Sequence, residues 1–173
     1  MNKLLVMCIY LAMAVCFVGC NKIGGDVSLV KNGYLDFDKS ITVGQALDGY
    51  KSFDKTEWKA IKTEQGRKIV ICDALLSKEL VDKYNNLLQS VYEERIRNGN
   101  SAKEPDYRIS RSMNYQFTIN NDGSFKYSGL LLIEKLKSGR VKECGLNIAL
   151  NEYIYPVYSN NSFPGVSCIT DPD

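Results

Sequence analysis

A long stretch of strict alternation between apolar and polar residues constrains the fold of this chain more than any other feature. From residue 107 to residue 119, apolar side chains recur at odd-numbered positions: Tyr107, Ile109, Met113, Tyr115, Phe117 and Ile119. Because successive side chains of a strand point to opposite faces, this period of two predicts one long, half-buried strand. The tripeptide Asn121-Asp122-Gly123 predicts a tight turn after it. The alternation then resumes in a predicted return strand, through Phe125, Tyr127, Leu131 and Ile133.

Three more strands are predicted around this hairpin. Residues 57–64 and 67–75 flank Gln65-Gly66, a hairpin pattern in which glycine supplies the positive φ of the turn. Within residues 68–72, apolar side chains occur at both odd- and even-numbered positions, which predicts a central strand that is covered on both faces. Residues 140–144 follow another turn signal and predict the last strand.

Two main helices complete the pattern. Thr42 and Gln45 have the spacing of a capping box, which predicts a helix at about 43–53. Ser77 can cap a second helix at about 78–97, where the apolar residues recur with helical spacing over five turns. Strands joined by tight turns are antiparallel. The sequence therefore predicts an α+β fold, with an antiparallel sheet of about five strands and two main helices packed on it.

The C-terminal part is less regular. For segment 146–158 we expect a short helix before Pro156, and we expect the last fifteen residues to wrap the surface. Residues 34–173 are expected to form a single α+β globular domain. A domain of this size buries about two-thirds of the surface of its unfolded chain, which is enough for a core without metals.

The first nineteen residues have the composition of an export signal. Lys3 is their only charged residue, and residues 4–19 are uncharged and mostly apolar. This run is shorter than the ~20 residues that a membrane-spanning helix needs. It ends in Phe17-Val18-Gly19-Cys20, where small residues precede a cysteine.

This tetrapeptide and the apolar run before it resemble the lipobox of bacterial lipoproteins, with Phe17 where Leu is commonest. The resemblance implies cleavage between Gly19 and Cys20, acylation of the Cys20 thiol, and attachment to a membrane of the cell envelope through that lipid. Asn21, in place of Asp, implies the outer membrane in a cell with two membranes, and otherwise the outer face of the plasma membrane. An uncleaved anchor and an ordinary signal peptide are the alternatives.

The lipobox also implies how the exported part is organised. Residues 20–33 are expected to form a lipidated tether, which Gly24-Gly25 makes flexible. The predicted layout is similar to that of small envelope lipoproteins of the outer-membrane assembly type and the β-lactamase-inhibitor-like type. The stretch from residues 32–37 through 65–70 resembles one in uncharacterised bacterial lipoproteins. Neither resemblance implies a molecular function.

The chain contains no histidine, which excludes Ser-His-Asp and Cys-His catalysis and zinc sites with histidine ligands. A formal net charge of +2 argues against nucleic-acid binding. Ser52 and Lys55 match the Ser-x-x-Lys pattern, but its partner motifs are absent. Glu57 and Glu64 are a possible carboxylate pair for glycoside hydrolysis. We expect no catalytic residue, cofactor or metal.

Three cysteines remain after removal of the signal and acylation of Cys20. Cys144 and Cys168 are the predicted disulfide, because the C-terminal tail has few other ways of being held. Cys72 is then a buried thiol within a strand. The alternative is that all three cysteines are reduced.

Tyrosines concentrate towards the C-terminus and predict a binding patch there: Tyr153, Tyr155, Tyr158 and Phe163. The alternative is that these rings belong to the core. The leading functional hypothesis is a non-enzymatic lipoprotein that binds another envelope component, a protein partner. An inhibitor or immunity-type lipoprotein, acting through the polar loop at 98–105, is the second hypothesis. A small cell-wall hydrolase without histidine is the third.

Overall fold

The computed structural model describes residues 21–146 and 151–161. Within them the chain forms these elements in order: α1 (Asn21–Lys31), α2 (Val43–Asp48), β1 (Phe53–Lys62), β2 (Lys68–Leu76), α3 (Lys78–Arg97), β3 (Arg108–Ile119), β4 (Phe125–Leu136), β5 (Val141–Gly145) and α4 (Asn151–Ser159). The predicted cleavage site at Gly19 and Cys20 lies outside the described residues, as do Phe163 and Cys168.

The five strands form one antiparallel sheet in sequence order, with β1 at one edge and β5 at the other. This arrangement, with helices packed on the sheet, confirms the predicted α+β fold. Gly66 and Gly123 adopt φ values of 79° and 84° in the two predicted hairpin turns. Both values lie in the left-handed region that glycine enters without steric cost.

One face of the sheet carries the core, and the helices of the described residues contribute to it. Their most deeply buried residues are Val30 in α1, Leu47 in α2, Val81 in α3, and Ile154 and Val157 in α4. The sheet contributes Val70, Cys72, Tyr115, Phe117 and Leu132, all without measurable exposure. Ile71, which points to the opposite face, is also buried. The second strand is therefore buried in both phases, as its sequence predicted.

The alternation in β4 changes phase within the strand. An extra residue, Ser128, forms a bulge opposite Gln116 and Phe117. Since a shift of one residue exchanges the two faces of a strand, the side chains beyond the bulge change sides. The core face carries Leu130, Leu132, Glu134 and Leu136. The expectation that Leu131 and Ile133 continue the buried face is therefore wrong.

Both predicted helix starts are confirmed. The Gln45 backbone N–H donates to the Thr42 hydroxyl (3.1 Å), and the Thr42 backbone N–H donates to the Gln45 side chain (2.9 Å). α2 ends at Asp48, earlier than predicted, because the Gly49 N–H closes the last turn on the Gln45 carbonyl. α3 has its predicted length, and the Ser77 hydroxyl caps its first turn.

The buried stripe of α3 is much narrower than its sequence predicts. Val81 is buried, whereas Leu87, Val91 and Ile96 are 60%, 45% and 49% exposed. The Asn85 side chain accepts from the backbone N–H of the first β3 residue (3.0 Å) and donates to its carbonyl (2.8 Å). This contact attaches the middle of α3 to the sheet, while the following turns contribute no buried residue.

The predicted tether at 20–33 is a helix over most of its length. Val30 is fully buried in the core. Asp26 forms an ion pair with Lys68 (3.0 Å), and Lys31 forms one with Asp48 (2.8 Å). The predicted flexibility of this segment is therefore wrong. Burial of an apolar side chain and two ion pairs outweigh the weak helix propensity of adjacent glycines, each of which costs about 1 kcal/mol.

α4 continues through Pro156, so the prediction that this helix stops before the proline is wrong. A proline inside a helix costs about 3 kcal/mol, because it removes one backbone hydrogen bond and its ring crowds the preceding turn. Ile154 and Val157, on either side of it, are both buried. Their burial, each contributing about 1.5–3 kcal/mol, offsets that cost.

Candidate functional site

Three aromatic rings meet at the surface, where α4 contacts the turn that follows α1. We call Phe37, Tyr155 and Tyr158 the aromatic cluster. The ring centroid of Phe37 lies 4.5 Å from that of Tyr155 and 5.0 Å from that of Tyr158, both in edge-to-face geometry. Phe37 is 38% and Tyr155 44% exposed, and Tyr158 is half-buried. The cluster thus combines mutually packed rings with apolar area that is open to solvent.

Two residues of the predicted patch, Tyr155 and Tyr158, are together in this cluster, and Tyr153 is not. Tyr153 is buried, and the Tyr115 hydroxyl donates to its carbonyl at 3.5 Å. Residues three apart share one face of a helix, whereas residues two apart do not. Tyr153 therefore belongs to the core, and Phe163 lies outside the described residues.

The contribution of Phe37 was missed by the sequence reasoning. Leu35 is buried and forms an isolated bridge with Asp38, which folds this segment back on itself. Tyr34 and Phe37, on either side of the buried leucine, remain exposed. The available signal was this pair of aromatics around one apolar residue directly after α1.

The Tyr158 hydroxyl is buried and has no hydrogen-bond partner among the described residues. Burial, together with the nearby carboxylate of Asp38, raises the pKa of Tyr158. Its phenol therefore stays neutral, and the cluster presents an uncharged aromatic surface.

A second feature is a buried ionic cluster at the opposite end of the sheet from the β1–β2 turn. Arg108 Nε donates to Glu134 Oε1 at 2.6 Å, and Arg111 Nε lies 2.8 Å from the same oxygen. The Glu134 side chain is fully buried, and those of Arg111 and Arg108 are 1% and 13% exposed. The Arg111 guanidinium lies over the Tyr84 ring, 4.1 Å from its centroid. Burial lowers the pKa of Arg111, and attraction by Glu134 opposes this shift.

A cavity of about 290 Å³ adjoins this ionic cluster; we call it the distal cavity. Its lining includes Glu134 and charged residues of the loop before β3, Lys103 and Glu104. Glu134 Oε2 is buried and has no hydrogen-bond partner among the described residues. A buried carboxylate oxygen of this kind is a position for an ordered water or for a donor group of a ligand.

The loop at 98–105, the candidate inhibitory loop, forms one wall of the distal cavity. Asp106 anchors its end, since it accepts from the Ser138 hydroxyl (2.5 Å) and backbone N–H (3.1 Å) and from Arg140 (3.0 Å). The Ser138 hydrogen bonds, with the Arg140 charge, lower the pKa of Asp106 despite some desolvation. The loop is therefore tied to the β4–β5 turn.

The structure separates the residues considered for catalysis. Glu57 lies within β1 and pairs with Lys55 (2.5 Å), whereas Glu64 lies in the turn beyond the end of that strand. At about 3.3 Å per residue, more than about 16 Å of backbone separates the two glutamates. Glycosidase carboxylates lie about 5–10 Å apart, so this pair does not fit that chemistry. The same ion pair engages the lysine of the Ser-x-x-Lys pattern, Ser52 to Lys55.

The cysteines are in different states. Cys72 is a free, buried thiol in β2, where burial raises its pKa. Cys144 in β5 is disulfide-bonded. Cys168 lies outside the described residues, so its pairing with Cys144 stays a prediction.

Among the residues that the structure describes, no group of three or more acidic or cysteine side chains is arranged to hold a metal ion. Within the same ranges, every helix is too short or too polar to span a membrane. The chain matches no family model, no curated protein and no solved structure.

Proposed function

We propose that this chain is a membrane-anchored lipoprotein of the cell envelope that binds a protein partner and is not an enzyme. The aromatic cluster is the observation that carries this proposal. Its rings are the residue types enriched in protein interfaces, and two of them, Phe37 and Tyr155, expose apolar area whose contact with water is unfavourable.

The anchoring part of the proposal rests on the lipobox resemblance at Cys20. α1 begins at the next residue, Asn21, so little flexible chain separates the lipid from the folded domain. The domain would therefore lie close to the membrane. Two or three acyl chains make such attachment effectively permanent, because each buried methylene contributes about 0.8 kcal/mol.

The binding part rests on the preorganisation of the rings. Phe37 and Tyr155 contact each other edge to face, so little side-chain entropy is lost when a partner covers them. The half-buried Tyr158 packs against the Phe37 ring as well. A partner with an apolar groove or pocket would contact Phe37 and Tyr155 first, as central anchors of an interface.

The test is crosslinking of the lipidated protein in its own cells, followed by mass spectrometry of captured proteins. The double variant Phe37→Ala/Tyr155→Ala should lose a reproducible partner. Leu87→Ala/Ile96→Ala is the matched control, because it removes two similarly exposed apolar side chains from α3. Equal loss in both variants, or no partner for the unmodified protein, would contradict a binding role of the cluster.

Lipidation is tested separately. The Cys20→Ser variant should lack the lipid by intact-mass measurement and should leave the membrane fraction during an alkaline wash. Retention of this variant in the membrane would instead indicate an uncleaved anchor.

The distal cavity supports a second candidate function, an inhibitor or immunity-type lipoprotein. The loop at 98–105 borders a cavity that the buried Glu134 also lines. Such a loop is presented on a fixed base, as an inhibitor that enters an active site requires. If partner capture depends on Lys103→Ala/Glu104→Ala and not on the aromatic cluster, this candidate replaces the first.

A further inference from the structure

A second, larger cavity of about 660 Å³ lies at the other end of the sheet, between α1 and the two long hairpin turns; we call it the turn-end cavity. Three cations and one carboxylate line it: Lys62, Arg67, Lys68 and Asp26. Uncharged polar groups from both turns complete the wall, among them Gln65, Thr118, Asn120 and Asn121.

The charges of the turn-end cavity do not balance. Asp26 is already paired with Lys68 at 3.0 Å. Arg67 donates to the uncharged side chain of Gln65 at 2.9 Å, and neither it nor Lys62 has an acidic partner among the described residues. Two positive charges therefore face this space without a counter-charge. Surrounded by amide and hydroxyl groups, they favour an anion with several acceptor oxygens, such as a phosphate group.

The position of the cavity indicates where such a phosphate would come from. Asp26 is the sixth residue of α1, and the helix rises about 1.5 Å per residue, so Asn21, where the helix begins, lies about 8 Å from it along the helix axis. Leu136, at the other end of β4, is eleven residues from Phe125 and hence about 36 Å away along the strand. An anchor at Cys20 therefore attaches the domain to the membrane at its turn end.

We propose that the turn-end cavity faces the membrane and binds the headgroup of an anionic phospholipid through Lys62 and Arg67. This inference rests on the proposed lipid anchor at Cys20. The lipid would hold the protein at the membrane, and the headgroup contact would set its orientation. Near an anionic membrane surface, each cationic side chain strengthens binding by about fivefold, so the two together give roughly thirtyfold.

The experiment uses the full lipidated protein in vesicles of phosphatidylcholine, with or without phosphatidylglycerol, that contain a headgroup-attached nitroxide lipid. A fluorophore is placed on Asn121→Cys at the turn end, or on Lys137→Cys beyond the far end of β4. The native Cys72 thiol is buried and Cys144 is disulfide-bonded, so neither cysteine of the described strands competes with the introduced thiol for the label.

We expect quenching at position 121 to exceed that at 137 and to increase with phosphatidylglycerol. In the Lys62→Gln/Arg67→Gln variant, the effect of phosphatidylglycerol on quenching at position 121 should be roughly thirtyfold weaker. Lys103→Gln/Lys135→Gln, which removes the same charge at the far end, should leave it unchanged. Equal quenching at both positions, or a phosphatidylglycerol effect that survives in the first variant, would overturn the inference.

Two further arms separate the sources of failure. If millimolar inorganic phosphate at constant ionic strength abolishes the phosphatidylglycerol effect, the cavity is a free-phosphate site and the headgroup assignment is wrong. If the unmodified protein leaves the vesicles in an alkaline wash, the anchor fails. A protein that stays attached but shows the wrong quenching pattern refutes only the headgroup site.

Discussion

The Glu134→Gln variant tests whether the buried ionic cluster holds β3 to β4. Glu134 is fully buried, and its Oε1 is shared by Arg108 at 2.6 Å and Arg111 at 2.8 Å. The substitution keeps the shape of the side chain and removes the negative charge that the buried Arg111 and the partly buried Arg108 share. Removing one partner of a buried ion pair costs about 3–5 kcal/mol, because the remaining charge stays desolvated without compensation.

That cost is a large part of the stability of a domain of this size, which is about 5–15 kcal/mol. The assay is urea unfolding at neutral pH, followed by far-ultraviolet circular dichroism. With a slope of about 2 kcal/mol per molar urea, the midpoint should fall by roughly 2 M. The control is Asp82→Asn, which breaks the exposed ion pair to Lys78 within α3 and should cost about 0.3–0.5 kcal/mol.

A midpoint shift no larger than that of the control would refute the reasoning. A second variant separates charge from packing: Arg108→Met/Arg111→Met/Glu134→Leu replaces all three charges with apolar side chains. Such replacements are neutral or stabilising by about 1–4 kcal/mol when they pack well. We therefore expect the triple variant to be more stable than Glu134→Gln. The reverse order would mean that the cluster contributes through its shape and not its charge balance.

Three further predictions follow from individual contacts. Partial burial raises the pKa of Asp48, but the hydrogen bonds that it accepts and its ion pair hold that pKa below the ordinary value. The free energy of unfolding should therefore fall as the pH is lowered towards and below about 4. The Asp48→Asn variant should reduce that loss in unfolding titrations. Tyr158→Phe should raise the free energy of unfolding by about 1 kcal/mol, because it removes a buried hydroxyl without a partner among the described residues. Tyr50→Phe should lower the free energy of unfolding by about 1 kcal/mol, because it removes the 2.7 Å hydrogen bond to the Asn161 carbonyl. Cys72 should resist thiol reagents in the native protein and react only in denaturant; rapid native labelling would contradict its burial.

The parts of the fold that depend on local signals could be predicted from the sequence. Each of these signals spans only a few neighbouring residues: the alternation of a strand, a glycine in a tight turn and a capping box. Gly123 and the reciprocal bonds of Thr42 and Gln45 are examples. Once the strands and tight turns were placed, the antiparallel order followed from chain connectivity.

The parts that depend on contacts between distant residues could not be predicted. Ile109 continues the apolar alternation of β3, yet a register shift between Arg108 and Ser110 leaves it 67% exposed. The bulge at Ser128 exchanges the faces of β4 because of its partner strand. Arg111 occupies a position that the pattern assigns to the buried face, and its burial depends on contacts with distant residues, the ion pair with Glu134 of β4 and the Tyr84 ring of α3.

The candidate site shows the same division. The concentration of tyrosines near the C-terminus identified Tyr155 and Tyr158, because helical spacing places them on one face. Phe37 joins them from more than a hundred residues earlier in the chain, and only the tertiary packing of α4 against the turn after α1 brings it there. Tyr153 is not part of the patch because tertiary packing turns its side of α4 towards the sheet.

The helical start of the domain changes what a lipid on Cys20 would do. A flexible tether would let the domain rotate freely, so that any of its surfaces could meet a partner. α1 is instead fixed to the sheet by the Asp26–Lys68 ion pair and to α2 by the Lys31–Asp48 ion pair, so the anchor would fix the turn end towards the membrane. The aromatic cluster lies where α4 meets the turn after α1, and α4 is itself held to β3 through the contact of the Tyr115 hydroxyl with the helix backbone. The cluster would then keep a fixed position relative to the membrane surface, which favours a partner that is held at the same membrane.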